Sequence, residues 1–359
     1  MTKQHCFNDN LISYNKNEGQ LLPQNGLKVL SLFDGISCGM VALERCKIPV
    51  QQYVAYEIDK NAIAISQKNY PQIIHCGDVR NADLTQYKGF DLLIGGSPCQ
   101  GFSIAGKQLN FEDPRSKLFF EFVRALREVK PKYFILENVK MKQEFSDQIS
   151  SILGVKPIEI NSSLVSAQRR KRLYWTNIPN ISIPDDKGIL LKDIVHETVG
   201  DEIDLEPYKV PFNDSLQILE RETASGKIGY FRTDAQAHRV YSIHGKSVTL
   251  YGEAGGGAAK MGQYLFGCIT PDRLTKRQNG QRFNDGEKFY TLTAMDKHGI
   301  LIDGYIRKIT PIECERLQTL PDNYTAGVSE SARYKALGNG WTVDVISHIL
   351  HHLPNFNYT

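Results

Sequence analysis

The stretch that decides the fold is FDLLIGGSPCQ, residues Phe90–Gln100. Its apolar centre, followed by small residues, predicts a buried strand that ends in a Pro-Cys-Gln turn. Similar apolar runs alternate with helical patterns, so strands are predicted at Val29–Phe33, Tyr53–Tyr56, Leu92–Ile94 and Tyr133–Leu136, and helices at Gly39–Arg45, Ala62–Asn69 and Leu118–Val129. This alternation predicts an α/β fold with a doubly wound, mostly parallel sheet, whose ligands bind at the carboxyl ends of the strands.

The chain divides into four parts. Residues 1–26 are polar and predict a surface extension, whereas 27–181 carry the alternating pattern. In residues 182–304 the alternation fails and Gly, Lys, Arg and Thr accumulate with interleaved aromatic residues, which predicts a smaller, irregular, β-containing domain. Helical patterns return in 305–359, at Ile312–Leu317 and Thr342–His351, and we expect this segment to complete the first domain.

Composition sets only broad limits on function. Of the 359 residues 41% are hydrophobic, and the net charge of +3 neither requires nor excludes nucleic acid. No apolar run approaches the roughly 20 residues that cross a bilayer, and the polar N-terminus lacks the apolar core of a secretion signal. The seven cysteines include no Cys-x-x-Cys pair, which favours a reducing cytoplasm over a zinc or disulfide framework. We expect a cytoplasmic protein without a metal.

A nucleoside-binding site is predicted from three successive strand ends. The first strand leads into the small-residue turn Phe33–Gly39, the second into Glu57, and the short stretch after it into Asp78. Small residues let a ligand approach the backbone, and a carboxylate at Glu57 suits ribose hydroxyls. The alternative is a tight turn with surface carboxylates. The full Gly-x-Gly-x-x-Gly pattern and a phosphate loop are both missing, so a single adenosyl group is favoured over NAD or ATP.

Cys99 and Glu137 form a second constellation, because each follows an apolar strand. A thiolate that adds to C6 of a cytosine ring makes C5 nucleophilic, and a carboxyl group can support the charge that develops at N3. The pair therefore predicts a cytosine-modifying enzyme. Taken alone, Cys99 would be a structural thiol, and Glu137 a helix cap or an ion-pair partner.

A third cluster is the basic run Gln168–Arg172. If it is extended, Gln168, Arg170 and Arg172 share one face and could contact a base, support a thiolate or hold phosphate. The alternative is a solvated basic turn.

Together these motifs, in this order, resemble the DNA cytosine-5 methyltransferases of bacteria and phages, over about Leu27–Asn180 and Arg307–Leu353. The resemblance rests on Phe33–Gly35, Pro98–Gln100, Phe111–Phe120, Glu137–Val139, Gln168-x-Arg170-x-Arg172, Arg316–Gln318 with Leu320–Pro321, and Gly338–Gly340. The chain departs from many bacterial members at Ser31, where they have Asp, and at Ser37 and Cys38, where they have paired glycines. In Phe33–Ile36 and Gly340–Val343 it is closer to the eukaryotic de novo enzymes.

The resemblance implies an S-adenosylmethionine-dependent, Rossmann-like catalytic domain that flips a cytosine out of duplex DNA. S-adenosylmethionine would be bound by Phe33, Gly35, Glu57, Asp78, Pro98, Leu118 and Asn339. Cys99 would be the nucleophile, Glu137 the N3 partner, and Arg170 and Arg172 would support the base. The loop Gly101–Lys117 would close over DNA, with Gln100 and Ser103 near the vacated position in the helix and Gln168 as a further substrate contact.

The resemblance also implies that residues 182–304 recognise the target site. Predicted DNA contacts there are Lys260, Arg273, Lys276, Arg277, Arg282 and Lys288, with Tyr264 and Phe266 interleaved; for any single one of these charges, a solvated surface is the alternative. We expect a monomer that acts on double-stranded DNA without a membrane, and a separately acting restriction endonuclease remains open. Two other interpretations are a tRNA cytosine methyltransferase with the same site and a catalytically inactive DNA-binding relative.

Overall fold

The computed structural model describes residues 25–97, 117–195 and 305–354, together with short segments at 209–210, 216–219, 223, 227–232, 239–242, 246–247, 249–250 and 263–266. In this part of the chain, seven strands form the main sheet, in the order β3-β2-β1-β4-β5-β7-β6. β7 runs antiparallel to both of its neighbours, and the other pairings are parallel. The predicted α/β class with a mostly parallel sheet is confirmed.

The strands of this sheet are β1 Leu27–Leu32, β2 Val50–Tyr56, β3 Ile74–His75, β4 Leu92–Gly96, β5 Tyr133–Val139, β6 Ile158–Asn161 and β7 Lys171–Thr176. The helices are α1 Cys38–Arg45, α2 Lys60–Asn69, α3 Lys117–Val129, α4 Gln143–Leu153, α5 Pro311–Leu317, α6 Glu330–Asn339 and α7 Val343–Leu350. The predicted strands and helices lie within a few residues of these bounds, whereas α4, α6 and β6 were not predicted.

The sheet has an apolar core on each face. Side chains alternate along a strand, so the neighbours Val29 and Leu30 on β1 belong to different buried clusters. Helices α3 and α4 cover one face through residues such as Phe122 and Ile149. Helices α1, α2 and α5–α7 cover the other, where Ile346 of α7 is completely buried. The C-terminal segment therefore packs onto the first domain.

Side-chain caps fix where the helices beside the site begin. Asp59 accepts hydrogen bonds from two backbone N–H groups in the first turn of α2. Thr310 and Glu313 form a capping box around Pro311 at the start of α5. Ser329 caps α6, whose last residue is Asn339. These caps set the ends of the helices next to the carboxyl edge of the sheet.

A second sheet contains β8 Lys209–Val210, β9 Leu216–Ile218, β10 Lys227–Phe231, β11 Arg239–Ser242, β12 Gln263–Phe266 and β13 Tyr305–Lys308, in the order β8-β13-β12-β11-β10-β9. A parallel bridge joins Ser247 to Gln168, just before β7. Among the described residues, no helix is both long and apolar enough to cross a bilayer.

Candidate active site

The turn after β1 adopts a backbone conformation that leaves room beside it. Phe33 and Gly35 both have positive φ angles, of 56° and 60°. A Cβ on Gly35 would meet no heavy atom within 4 Å. The Gly35 N–H donates to Oε2 of Glu57 at 2.8 Å, so the carboxylate at the end of β2 holds this turn. Two predicted cofactor residues are thus joined by one hydrogen bond.

The second oxygen of Glu57 is also engaged. Oε1 accepts hydrogen bonds at 2.8 Å from the backbone N–H groups of Ile58 and Asp59. The carboxylate is thereby fixed at the edge of the sheet. Beside it, the side chain of Ile58 is 67% exposed, the most exposed of the large apolar residues in the described part of the chain. Ile58 was not among the residues predicted for the cofactor site, although its position directly after Glu57 could have suggested it.

Asp34 lies beneath the same turn and organises a polar network. Its carboxylate accepts hydrogen bonds from the hydroxyl groups of Ser31 at 2.6 Å, Ser37 at 2.5 Å and Tyr53 at 2.7 Å. Burial raises the pKa of Asp34, while these hydroxyl groups oppose the shift. Ser31 and Ser37, two positions where the chain departs from the family pattern, therefore both bind the Asp34 carboxylate.

The network continues from Ser37 towards β3. The hydroxyl groups of Ser37 and Ser66 lie 2.6 Å apart, and Ser66 Oγ lies 3.0 Å from Nε2 of His75. Burial lowers the pKa of His75, and its Nδ1 is buried with no hydrogen-bond partner among the described residues.

Asp78 follows β3, as predicted, and is already paired. Both of its carboxylate oxygens lie 3.0 Å from Nε of Arg80, which lowers the pKa of Asp78. The Arg80 side chain is 61% exposed. The carboxylate therefore stands at the solvent edge, fixed by its neighbour.

The other described cofactor candidates lie at helix ends. Leu118 is half-buried in the first turn of α3, and Asn339 is exposed at the last residue of α6. The turn that follows Asn339 approaches the loop after β1, because a Cβ on Gly340 would lie 3.4 Å from Sγ of Cys38. Pro98 lies outside the described residues.

Glu137 occupies a confined position on β5, directly opposite Gly96 of β4. Oε1 of Glu137 lies 2.9 Å from Nε of Arg172, and both side chains are nearly buried, at 11% and 13% exposed. A Cβ on Gly96 would lie 3.0 Å from Oε2 of Glu137 and 2.9 Å from Nε1 of Trp341. The structure therefore brings Glu137 and Arg172 together, beside Trp341. Sequence reasoning did not single out Trp341 for the site.

Arg170 has a different environment from Arg172. Its guanidinium is buried and donates to the backbone carbonyl groups of Leu250 at 3.1 Å, Gly338 at 3.1 Å and Gly340 at 2.9 Å. Burial and the nearby charge of Arg172 lower the pKa of Arg170 to about 10. These contacts favour a positioning role, whereas the predicted contact of Arg170 with the base stays a prediction.

Gln168 is completely buried, and neither atom of its amide has a hydrogen-bond partner in the described structure. This conformation gives DNA no access to the side chain, so its direct contact with substrate stays a prediction. The remaining predicted residues, Cys99, Gln100, Ser103, Lys260, Arg273, Lys276, Arg277, Arg282 and Lys288, lie outside the described residues. Tyr264 and Phe266 lie on β12.

The start of the Pro-Cys-Gln segment is nonetheless anchored. Asn138 is buried next to Glu137, and its Nδ2 donates to Oγ of Ser97 at 3.1 Å. Ser97 immediately precedes Pro98. The two strands that carry the predicted nucleophile and carboxylate are thus tied at their carboxyl ends.

Comparison with known proteins assigns the chain to a family. The profile of the C-5 cytosine-specific DNA methylases matches residues 27–151 and 164–355. The chain belongs to this family. It is a DNA cytosine-5 methyltransferase, as the sequence motifs predicted.

Named relatives align with this methyltransferase over most of their length. The orphan methyltransferase M.SPRI of Bacillus phage SPR is 29% identical, over 91% of this chain and 97% of its own. The type II methyltransferase M.HhaI of Haemophilus parahaemolyticus is 28% identical, over 91% and 94%.

Solved structures show the same fold. The Entamoeba histolytica methyltransferase EhMeth superposes with a TM-score of 0.62 at 18% identity, covering 92% of this chain and 98% of its own. The S. pombe Dnmt2 methyltransferase gives 0.58 at 17% identity, covering 90% and 97%.

Proposed function

We propose that this methyltransferase transfers a methyl group from S-adenosylmethionine to C5 of a cytosine flipped out of duplex DNA, through a covalent bond between Cys99 and C6. The observation that carries the proposal is the Glu137–Arg172 pair at the carboxyl end of β5, opposite Gly96. Cys99 is three residues beyond Gly96, so chain length alone keeps its Cα within about 11 Å of Gly96. This limit is compatible with a site in which one pyrimidine contacts both groups.

The residues around the β1 turn fit an adenosyl cofactor. The open space beside Gly35 accepts a ligand against the backbone, and Oε2 of Glu57, which accepts a single hydrogen bond, has a lone pair left for a ribose hydroxyl. Exposed Ile58 offers an apolar surface to one face of the adenine, and Asp78 can accept a bond from its amino group. Phe33, Pro98, Leu118 and Asn339 are proposed to complete the site. When bound, S-adenosylmethionine supplies an electrophilic methyl group on its sulfonium.

The chemistry of the base falls to Cys99, Glu137 and Arg172. The Cys99 thiolate adds to C6 while the carboxyl group of Glu137, held by Arg172, donates a proton or hydrogen bond to N3, and this proton returns to Glu137 when the adduct breaks down. C5 then takes the methyl group, loses its proton to a base, and the C6–S bond breaks to release the thiolate. Arg170 positions the turn Gly338–Gly340 beside this site.

The described cysteines support the choice of Cys99. All four of them, Cys38, Cys46, Cys76 and Cys314, are buried. Burial raises the pKa of Cys38 to about 12 and that of Cys46 to about 11, so neither supplies a thiolate at neutral pH.

We further propose that residues 182–304 select the DNA site. Arg273, Lys276 and Arg277 would contact DNA there, and reversing all three charges should weaken binding and reduce its dependence on salt. An unchanged salt titration would contradict this assignment.

The covalent mechanism is tested with Cys99→Ala, and Cys46→Ala serves as a matched thiol control. Methylome sequencing of a methylation-free host that expresses the chain first identifies the target site. A duplex with 5-fluorocytosine at that site should then trap wild type and the control as a denaturant-stable complex, because the C5 substituent cannot leave as a proton. Cys99→Ala should form no complex and methylate nothing, yet still bind S-adenosylmethionine. Methyl transfer by Cys99→Ala, or transfer by wild type to tRNA and not to DNA, would overturn the proposal.

A further inference from the structure

A basic cavity of about 650 Å³ adjoins the active site and has no role so far. It lies where β6 and β7 meet the segment 246–249, and Arg172, the partner of Glu137, forms part of its wall. Four of its eight lining residues are cations, namely Arg169, Lys171, Arg172 and Lys246, and one is a carboxylate, Asp186. Glu137 balances the charge of Arg172, so the other charged lining residues, Arg169, Lys171, Lys246 and Asp186, carry a net charge of +2. Such a concentration of charge favours a polyanionic ligand.

Two of the cavity cations, Arg169 and Lys171, come from the face of the motif opposite the one that serves the base, whereas Arg172 belongs to the base-serving face. Gln168, Arg170 and Arg172 alternate with Arg169 and Lys171, so the latter two project to the other side of the extended segment. This difference is visible in burial, because Arg170 is 3% exposed while the Lys171 side chain is 58% exposed. One strand thus presents an inward face to the base and an outward face to solvent.

For two of these cations, Lys171 and Lys246, the carboxylate partners in the described part of the chain are distant. Nζ of Lys171 lies 3.9 Å from Glu159, which has a closer partner, Lys140, at 2.8 Å. Nζ of Lys246 donates to the carbonyl groups of Ser163 at 2.7 Å and Ser166 at 3.2 Å. Asp186 is 3.9 Å from Lys246. Loose, exposed ion pairs contribute little, so an incoming phosphate can replace them at small cost.

We propose that Arg169 and Lys171 bind successive backbone phosphates of the DNA strand that carries the flipped cytosine, with Lys246 fixing the wall behind them. This inference rests on the proposed function, because it places the target base between Glu137 and the cavity. Arg169 lies two residues before Lys171, the first residue of β7, and an extended backbone would separate the two by about 6.6 Å, comparable to the spacing of successive phosphates. The cavity is much larger than a phosphate ion, and its polar wall does not suit an apolar ligand.

The test is the salt dependence of DNA binding by Arg169→Gln/Lys171→Gln. A fluorescent duplex that carries the methylation site is titrated with each protein between 50 and 200 mM salt. The slope of log K against log salt should become shallower by about 1.8, about 0.9 for each lost phosphate contact. The KM for DNA should rise by a larger factor than kcat falls.

Controls separate charge from folding. Lys88→Gln/Lys130→Gln removes two exposed lysines at the opposite end of the strands and should leave the slope unchanged. Arg169→Lys/Lys171→Arg keeps both charges and should restore most of the wild-type slope. Lys171→Gln alone changes an exposed side chain and should give about half the effect.

A wild-type slope for the Gln double variant would overturn the phosphate assignment. The 5-fluorocytosine trap, run at low salt, distinguishes this outcome from failure of the proposed function. Trapping of wild type together with an unchanged slope would refute only the phosphate contacts. Failure to trap wild type would refute the proposed covalent chemistry, whatever the slope.

Discussion

Replacing Gly96 with alanine tests the geometry of the active site most directly. A Cβ at this position would lie 2.9 Å from Nε1 of Trp341 and 3.0 Å from Oε2 of Glu137. Ordinary van der Waals contact begins at 3.4 Å. The methyl group would therefore be too close to Trp341 by about 0.5 Å and too close to Glu137 by about 0.4 Å. The Glu137 carboxylate cannot retreat freely, because it is nearly buried and bonded to Arg172 at 2.9 Å.

The expected effect follows from this displacement. Overpacking a confined site costs about 1–3 kcal/mol in the free energy of unfolding. A misplacement of about 1 Å at an active site can cost about 100-fold in rate, so a shift near half that size should lower kcat about tenfold. Binding of S-adenosylmethionine should change less, because Glu57 and Gly35 lie on other strand ends.

Steady-state methyl incorporation and urea unfolding measure the two effects, and Gly95→Ala is the matched control. Its Cβ would lie 3.0 Å from the Leu32 carbonyl and from Phe122, inside the opposite core. It should lose stability with only a few-fold change in kcat. Adding Trp341→Phe to Gly96→Ala removes the nearest atom and should recover much of kcat. Wild-type kcat and stability in Gly96→Ala would refute the packing described here.

Three further expectations follow from single contacts. Glu57→Ala should raise the Kd of S-adenosylmethionine about 10- to 100-fold by calorimetry, since hydrogen bonds to a charged acceptor contribute roughly 1.5–3 kcal/mol; an unchanged Kd would remove Glu57 from the cofactor site. Arg170→Lys should lower the free energy of urea unfolding by about 2–4 kcal/mol, because buried carbonyl groups lose their donors. Stability equal to that of wild type would contradict the stabilising role given to these Arg170 hydrogen bonds. His75 has a lowered pKa in the folded protein, so the unfolded chain takes up the proton first as pH falls below about 6.5, and stability is lost there. His75→Gln should therefore show a smaller drop in Tm between pH 7.5 and 5.5 than wild type, and an identical drop would contradict this reasoning.

Local patterns were sufficient to predict most of the sheet. The apolar runs of β1, β2, β4 and β5 are buried in a parallel sheet, where strands are apolar along their whole length. The position of Glu57 at a strand end followed from the run of β2, and that of Asp78 from the short stretch around His75. By contrast, α4 and α6 have largely polar sequences and β6 is a four-residue edge strand, and none of the three was predicted.

Contacts between distant parts of the chain were beyond sequence reasoning. The alternation in Gln168–Arg172 placed Arg170 and Arg172 on one face. The local sequence does not show, however, that the two arginines bind different partners. Arg172 meets Glu137 across neighbouring strands, whereas Arg170 meets carbonyl groups 80 to 170 residues further along the chain. Such partners depend on how the C-terminal segment returns to the sheet. The same holds for Trp341, whose place beside Gly96 depends on packing alone.

The turn between α6 and α7 connects the proposed cofactor site to the proposed base site. Nε2 of Gln318 donates to the carbonyl groups of Leu337 and Gly340, and Arg170 bonds Gly340 from the other side. These buried donors leave the turn little freedom, because an unmet carbonyl would cost about 1–3 kcal/mol. One end of the turn carries Asn339, a proposed cofactor residue, and the other places Trp341 beside Gly96 and Glu137. If the proposed sites are correct, this buried framework positions the methyl donor relative to the base, and disturbing it should affect both ligands together.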